Sequence, residues 1–479
     1  MHRTRLVIIT LLVSLVASAA PAARPAARIH SVVDISHAFS FYFDGRFARN
    51  YLVGKGNVSV QNWGTLHKFD FDRVNLVVLQ SGASSCQYTP KDIAAIKAFL
   101  ESGGGVIVLG DYALFRDEKT YTLNALAKAF GAKFVNKGVK KPITGLGELK
   151  GKAVKNYGGK TITLTRSMYW EMLIKDAAGR CLMARRNVGK GKLLVTTRGI
   201  SGRKPDASDP INAEWLAPLL TDLASGKTVD PKRRPRHHRA ENTVIRDGLE
   251  IRYSDYMQPF ADEIFKMYVI CRPVQEKLLG VPPSEGMLAS LLLLPTGGGG
   301  FSSGRTIGLG IWWGGFPQKK CGMVELLGHE AMHSWVHPFT EPLWNEGIAT
   351  YVGIQMGIQL GYKTQAEKTL AGWIKRAKRH DPEMKKYDLA GGKDIPHTVV
   401  MAKPMWIWEQ LRKEKPDILA RYFKAKRRLA DPKKLKRYTA HDSVAVLSIA
   451  AERDLFAWFQ SLGISVNPDK ATIKIPARK

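Results

Sequence analysis

Leu327-Gly328-His329-Glu330-Ala331-Met332-His333-Ser334-Trp335, followed by Pro342-Leu343-Trp344-Asn345-Glu346-Gly347-Ile348-Ala349-Thr350-Tyr351, is the segment of this chain from which the other readings extend. On a helix, His329 and His333 stand four residues apart and project from one face, so two imidazoles reach a single Zn2+ at about 2.0 to 2.1 Å. Glu330 is rotated about 100° from His329, which puts it beside such an ion as a general base and outside its coordination shell. With 12 His in 479 residues, the expected number of chance His-Glu-x-x-His matches is on the order of 0.01. Asn345-Glu346-Gly347 opens a second helical run carried by Ile348, Val352, Ile354 and Ile358, after a turn containing Pro338 and Pro342. An antiparallel helix there offers the Glu346 carboxylate to the same ion. Two His and one carboxylate leave a fourth tetrahedral position for water, as in catalytic zinc sites. Glu341, just before Pro342 in the turn, is the alternative carboxylate, whereas Pro338 follows His337 and position 339 is Phe339.

Upstream, Met287 to Leu294 and Arg305 to Trp313 read as two strands flanking the loop Gly297 to Gly304. Downstream, Tyr438 or His441 in Arg437-Tyr438-Thr439-Ala440-His441-Asp442 is the expected donor to an oxyanion. Thr350 and Glu325 are candidates to orient a ligand imidazole from behind, although helix surface is the plainer reading of both.

The first part of the chain alternates strand and helix signals. Val74 to Leu79 is a continuous apolar run suited to a strand buried on both faces. Thr89 then caps a helix with Pro90 in its first position, Asp92 in its first turn and Ile93, Ile96 and Leu100 at helical spacing, until Gly103 to Gly105 end it. Val106 to Leu109 is the next buried strand, completing a parallel βαβ unit of a doubly wound α/β domain. This unit is expected over residues 29–228, a basic linker over 229–242 and a second unit over 243–479. Pro231-Lys232-Arg233-Arg234-Pro235-Arg236-His237-His238-Arg239 shows no apolar periodicity, so it reads as solvated, with His237 and His238 part of the charge run.

His2 to Arg5, the apolar run Leu6 to Val16 and the small residues Ala17-Ser18-Ala19 form an export-signal pattern over residues 1–20. A periplasmic or extracellular protein is expected, and not a membrane-spanning one, because the run falls short of the roughly 20 residues a bilayer needs. Four cysteines, Cys86, Cys181, Cys271 and Cys321, are too few and too scattered for a disulfide scaffold or a thiolate zinc site, and a Cys271–Cys321 bridge is not readable from spacing. Asn57-Val58-Ser59 is a formal glycosylation sequon. The formal net charge of +31 attracts polyanions, for an exported protein anionic glycans or an anionic cell surface. The basic residues contain no nucleic-acid-binding motif, so no nucleic-acid partner is expected.

Two resemblances follow from these residues. Phe71 to Gly110 resembles class I glutamine-amidotransferase-like domains of flavodoxin-like topology. Their nucleophile sits in a Gly-x-Cys-x-Gly turn, where this chain has Gly110-Asp111-Tyr112-Ala113, and Cys86 lies in Ser84-Ser85-Cys86-Gln87, so the resemblance implies a catalytically silent module. His329-Glu330-x-x-His333 with Glu346 resembles the gluzincin zinc metallopeptidases, and within them the enhancin and mucin-directed peptidase family, over about Val244 to Val466. The closing stretch Ser443 to Ile464 is similar to that family's C-terminal helices. The resemblance implies an α+β gluzincin domain with a largely helical C-terminal part, a Zn2+ cofactor and a protein or glycoprotein substrate. It also implies a strand edge beside the zinc helix that holds the substrate backbone, for which Ile307 to Trp313 is the natural candidate, with Trp312 and Trp313 lining a subsite or packing in the core. No Glu or Asp occurs between Gly286 and Gln318 to bind a free substrate amine, which points to an endopeptidase. A non-enzymatic glycan-binding protein and a metal-dependent cell-wall peptide amidase are the competing expectations.

Overall fold

The computed structural model describes residues 28–37, 51–52, 54, 56–81, 87–110, 118, 121–155, 160–197, 210–294, 299–310 and 320–476. The signal pattern, Cys86, the Gly110-Asp111-Tyr112-Ala113 turn beyond Gly110, and Trp312 and Trp313 lie outside the described residues. The first unit runs β1 (His30–Asp34), β2 (Val58–Asn62), β3 (Leu76–Ser81), α1 (Pro90–Glu101), β4 (Gly105–Gly110), α2 (Leu123–Ala129), β5 (Ala132–Gly138), β6 (Ile143–Gly145), β7 (Lys160–Leu164), β8 (Glu171–Asp176), β9 (Cys181–Val188), β10 (Gly191–Thr197) and α3 (Pro210–Ala224). These strands form one sheet in the order β2-β1-β3-β4-β10-β9-β7-β5, with β8 beside β9 and β6 beside β8. The pairs from β2 through β10 in that order are parallel, and the remainder antiparallel.

Side-chain alternation between two helix-covered faces explains the continuous apolar runs Leu76–Leu79 of β3 and Val106–Leu109 of β4. Val77 and Leu79 of β3 and Val106 and Val108 of β4 pack with Ile96, Phe99 and Leu100 of α1. Their neighbours Leu76, Val78, Ile107 and Leu109 pack on the other face with Trp215, Leu216 and Leu220 of α3. Helix α1 begins as expected: Thr89 and Asp92 form a reciprocal capping box with Pro90 in the first turn. β3 starts two residues later than expected, because Phe71–Arg73 is a short 3-10 turn that ends on Val74. Asn75 then bonds back to β1, its Oδ1 accepting the His30 N–H at 2.9 Å. In the sequon, Asn57 Oδ1 accepts the Ile29 N–H, so that side chain is already engaged.

The second unit opens with β11 (Asn242–Arg246), β12 (Leu249–Tyr253), α4 (Gln258–Leu279), β13 (Ser290–Leu294), β14 (Gly300–Ser302) and β15 (Thr306–Gly310). It continues in helices: α5 (Lys320–Trp335), α6 (Asn345–Gln359), α7 (Lys363–Lys378), α8 (His397–Glu414), α9 (Ile418–Leu429), α10 (Ala440–Ala451) and α11 (Phe456–Ser461). The sheet order is β11-β12-β13-β15-β14. Here the expected loop contains a strand: β14 pairs antiparallel with β15 and takes the edge, so the strand at Thr306–Gly310 is interior and not the free edge. Ile251, Leu291, Leu293, Ile307 and Leu309 face inward and share a core with α4, α5 and α6.

The basic linker is also not simply solvated. Its backbone adds to β2, where Trp63 N–H donates to the His238 carbonyl at 2.8 Å and His238 N–H donates to the Gln61 carbonyl at 3.0 Å. His238 bonds Asn62 Oδ1 at 2.8 Å, and the Gln61 N–H donates to His237 Nδ1 at 3.1 Å. A segment without apolar periodicity cannot build a core, but its backbone groups still pair, and the rim of β2 supplies the partners. Just beyond it, Tyr256 joins the two units, its hydroxyl accepting the Leu66 N–H at 2.9 Å and donating to Asp92 at 3.0 Å. Cys181 and Cys271 are buried free thiols and Cys321 is a free thiol, so Cys271 and Cys321 are not bridged. Among the described residues no helix is long and apolar enough to cross a membrane.

The connection between α5 and α6 is held by a buried ion pair. Lys426 of α9 bonds the Glu341 carboxylate and the Phe339 carbonyl, and the Tyr422 hydroxyl donates to Glu341 at 2.7 Å. Removing one partner strands the other charge in the core. Lys426→Ala is expected to destabilise the second unit by about 3 to 5 kcal/mol in urea denaturation; a loss below about 1 kcal/mol, typical of an exposed pair, would contradict this role.

Candidate metal centre

Two helices bring the donors together because two glycines let them touch. A Cβ on Gly353 would stand 2.3 Å from the Glu325 carbonyl, and one on Gly328 would stand 2.6 Å from Met356 Sδ. With α5 and α6 in backbone contact, positions 346 and 350, one turn apart on α6, face positions 329 and 333 on α5. The His329 and His333 Nε2 atoms are 3.2 Å apart, and they lie 3.5 and 3.6 Å from the Glu346 carboxylate oxygens. A tetrahedral ion with ligands at about 2.0 to 2.1 Å requires ligand–ligand separations of about 3.3 Å, so the three atoms sit close to the edges of such a coordination shell. Among the described residues this is the group of three able to hold a metal ion.

The surroundings support that geometry. Thr350 is buried and its Oγ1 lies 2.9 Å from His329 Nδ1; with Nδ1–H as the donor, the Nε2 lone pair faces the shared space. Thr350 is therefore a buried partner of His329 and not helix surface. Asn345 Nδ2 donates to Glu346 at 3.0 Å, and Glu346, in the first turn of α6, benefits from the positive end of that helix. The adjacent His329 imidazole and then His333 hold the Glu346 carboxyl down at about 2 despite partial burial. Burial opposes charge on His329, but Glu346, Glu330 and Glu325 outweigh it and its pKa is raised; burial and the neighbouring His329 lower that of His333.

Glu330 is buried beside the imidazoles, and burial pushes its carboxyl up to about 7, partly offset by His329. Edge strand β14 packs directly against it: a Cβ on Gly300 would stand 2.6 Å from Glu330 Cγ. Ser302 Oγ lies 3.0 Å from Ser334 Oγ of α5, pinning the same strand to the helix. The resulting cavity of about 300 Å³ is lined by the two imidazoles, Glu330 and Glu346, by β14, and by His337, Thr340 and Asn345. Glu325 lies further back on α5, half-buried, with its carboxyl raised to about 7 by burial.

Three expectations need correction. Tyr438 is buried away from the cavity, its hydroxyl 3.0 Å from Tyr422 in the network around Glu341. His441 does not line the cavity either; it starts α10, where its Nδ1 accepts the Asn467 N–H at 3.3 Å. Both belong to a capping segment, closed by the Thr439–Asp442 box, that packs the C-terminal helices. Glu341, the alternative ligand, is taken by Lys426 and Tyr422. His337, set aside as a ligand because Pro338 follows it, is part of the cavity wall, and so is β14, whose glycine run before Phe301 reads as loop in the sequence.

No family model and no curated protein matches the chain. Solved structures that it resembles include an IFT52 N-terminal domain, at 16% identity and TM-score 0.30 over 41% of this chain and 99% of that one. A ThuA-like protein from Parabacteroides merdae matches at 14% identity and TM-score 0.28 over 42% of this chain and 92% of that one. A β-galactosidase from Bacillus circulans matches at 12% identity and TM-score 0.26, over 46% and 33% of the two chains.

Because Thr350 bonds the far side of His329, Thr350→Val is expected to weaken whatever affinity the three donors have for added Zn2+ by about 10- to 100-fold in a chelator competition titration. Unchanged affinity would show that the hydroxyl does not orient the ring.

Proposed function

We propose that this chain is a zinc-dependent endopeptidase of the gluzincin type, acting on protein or glycoprotein substrates and exported by its N-terminal segment. The observation that carries the reading is the near-tetrahedral spacing of His329, His333 and Glu346 with a buried Glu330 alongside. Those three side chains would hold the ion. When bound, it supplies Lewis acidity, acidifying water and polarising a carbonyl.

The rest of the chemistry belongs to the protein. Glu330, its pKa raised by burial, suits a group that takes a proton from the attacking water and returns it to the leaving amine. Among the described residues β14 is the rim of its sheet, and an extended substrate would lie beside Glu330 by strand addition to it. His337, on the cavity wall, is the side chain we assign as donor to the developing oxyanion in place of Tyr438 or His441. For the first unit, the parallel order β2-β1-β3-β4-β10 supports a flavodoxin-like reading, which we take as a binding module without its own nucleophile.

Elemental analysis of the full chain is expected to give one zinc per molecule in both the wild type and Glu330→Gln. Casein turnover should fall at least about 100-fold in that variant. Full turnover by Glu330→Gln, or by zinc-stripped protein, would overturn the assignment.

A further inference from the structure

The outer face of the five-stranded sheet carries a second cavity, of about 260 Å³, that shares Phe301 with the metal cleft. Registry defines its floor. Arg252 of β12 pairs with Leu292 of β13, Leu292 with Gly308 of β15, and Gly308 with Phe301 of β14. Successive residues on a strand face opposite sides, so this row points away from the core that takes Ile251, Leu291, Ile307 and Leu309. The Phe301 ring fills the space over Gly308, where a Cβ would meet it at 2.2 Å. Trp63 of the first unit and Arg239 of the linker also line it. Neither the peptidase unit nor the linker alone closes this cavity.

The same alternation links it to the cleft. On β14, Gly300 and Ser302 face α5 and Glu330, whereas Phe301 faces outward. A substrate strand added to β14 lies about 4.8 Å further out and presents alternate side chains to the two sides. One set enters the metal cleft, and the other stands beside Phe301 at the mouth of the outer cavity. The lining is apolar at Trp63, Leu292 and Phe301 and basic at Arg239 and Arg252. Arg252 is committed to Glu250 at 2.6 Å, while Arg239 is exposed and has no acidic partner among the described residues.

We propose that this cavity is a second substrate subsite, walled by the first unit and the linker, that takes an acidic side chain of the bound peptide through Arg239. It rests on the peptidase reading for the direction of the substrate, and deepens it by giving the first unit a role in selection. Charge complementarity chooses the occupant: an apolar floor accepts the methylenes of a glutamate while a guanidinium meets its carboxylate.

The test is binding by isothermal titration to the zinc-loaded full chain carrying Glu330→Gln, using a blocked hexaglutamate peptide and its hexaglutamine counterpart. The acidic peptide is expected to bind at least about tenfold tighter. Adding Arg239→Glu should abolish that preference, and adding Lys393→Glu, an exposed charge elsewhere on the surface, should leave it. Equal affinity for the two peptides, or equal loss with both charge reversals, would overturn the proposal, the latter by assigning the preference to overall charge. Casein turnover by the wild type, measured separately, distinguishes failure of the subsite from failure of the peptidase reading.

Discussion

The contact between α5 and α6 at Gly328 and Gly353 is the constraint on which the rest of the second unit depends. A side chain at either position would separate the helices, and with them His329 from Thr350 and both imidazoles from Glu346. Helices packed through ordinary side chains lie 8–10 Å apart, and the glycines permit a closer approach. The buried Lys426–Glu341 pair acts on the same geometry from outside, by fixing the connection that leads into α6.

Around that contact the molecule places groups of contrasting electrostatic character. Glu346, at a helix N-terminus and flanked by imidazoles, stays ionised, whereas Glu330, lining the same cavity but enclosed by β14, is pushed towards the neutral form. Two carboxylates with separated tendencies in one cavity suit one to hold a cation and the other to carry a proton. β14 contributes twice: it encloses Glu330 on one side and presents Phe301 on the other. The linker and Trp63 then connect the first unit to the outer side of that strand.

Much of this was legible in the sequence where local chemistry has one solution. The Thr89-Pro90-x-Asp92 start of α1, the apolar runs of β3 and β4, and the facing of His329, His333 and Glu346 follow from capping, alternation and helical spacing. What was not legible depends on tertiary partners. β14 is three residues long and begins in a glycine run, so only its pairing with β15 makes it a strand. The linker took its structure from the rim of β2, and Tyr438 read as an available hydroxyl because its burial against Tyr422 involves a helix sixteen residues earlier. Thr350 read as surface because the partner that buries it lies on another helix.

Anomalous diffraction from crystals of the full chain, recorded at the zinc absorption edge, decides whether these three side chains hold the ion. One strong peak is expected at about 2.0 to 2.1 Å from His329 Nε2, His333 Nε2 and a Glu346 oxygen. A peak held by other residues, or a zinc-soaked crystal with none between these three side chains, would contradict it.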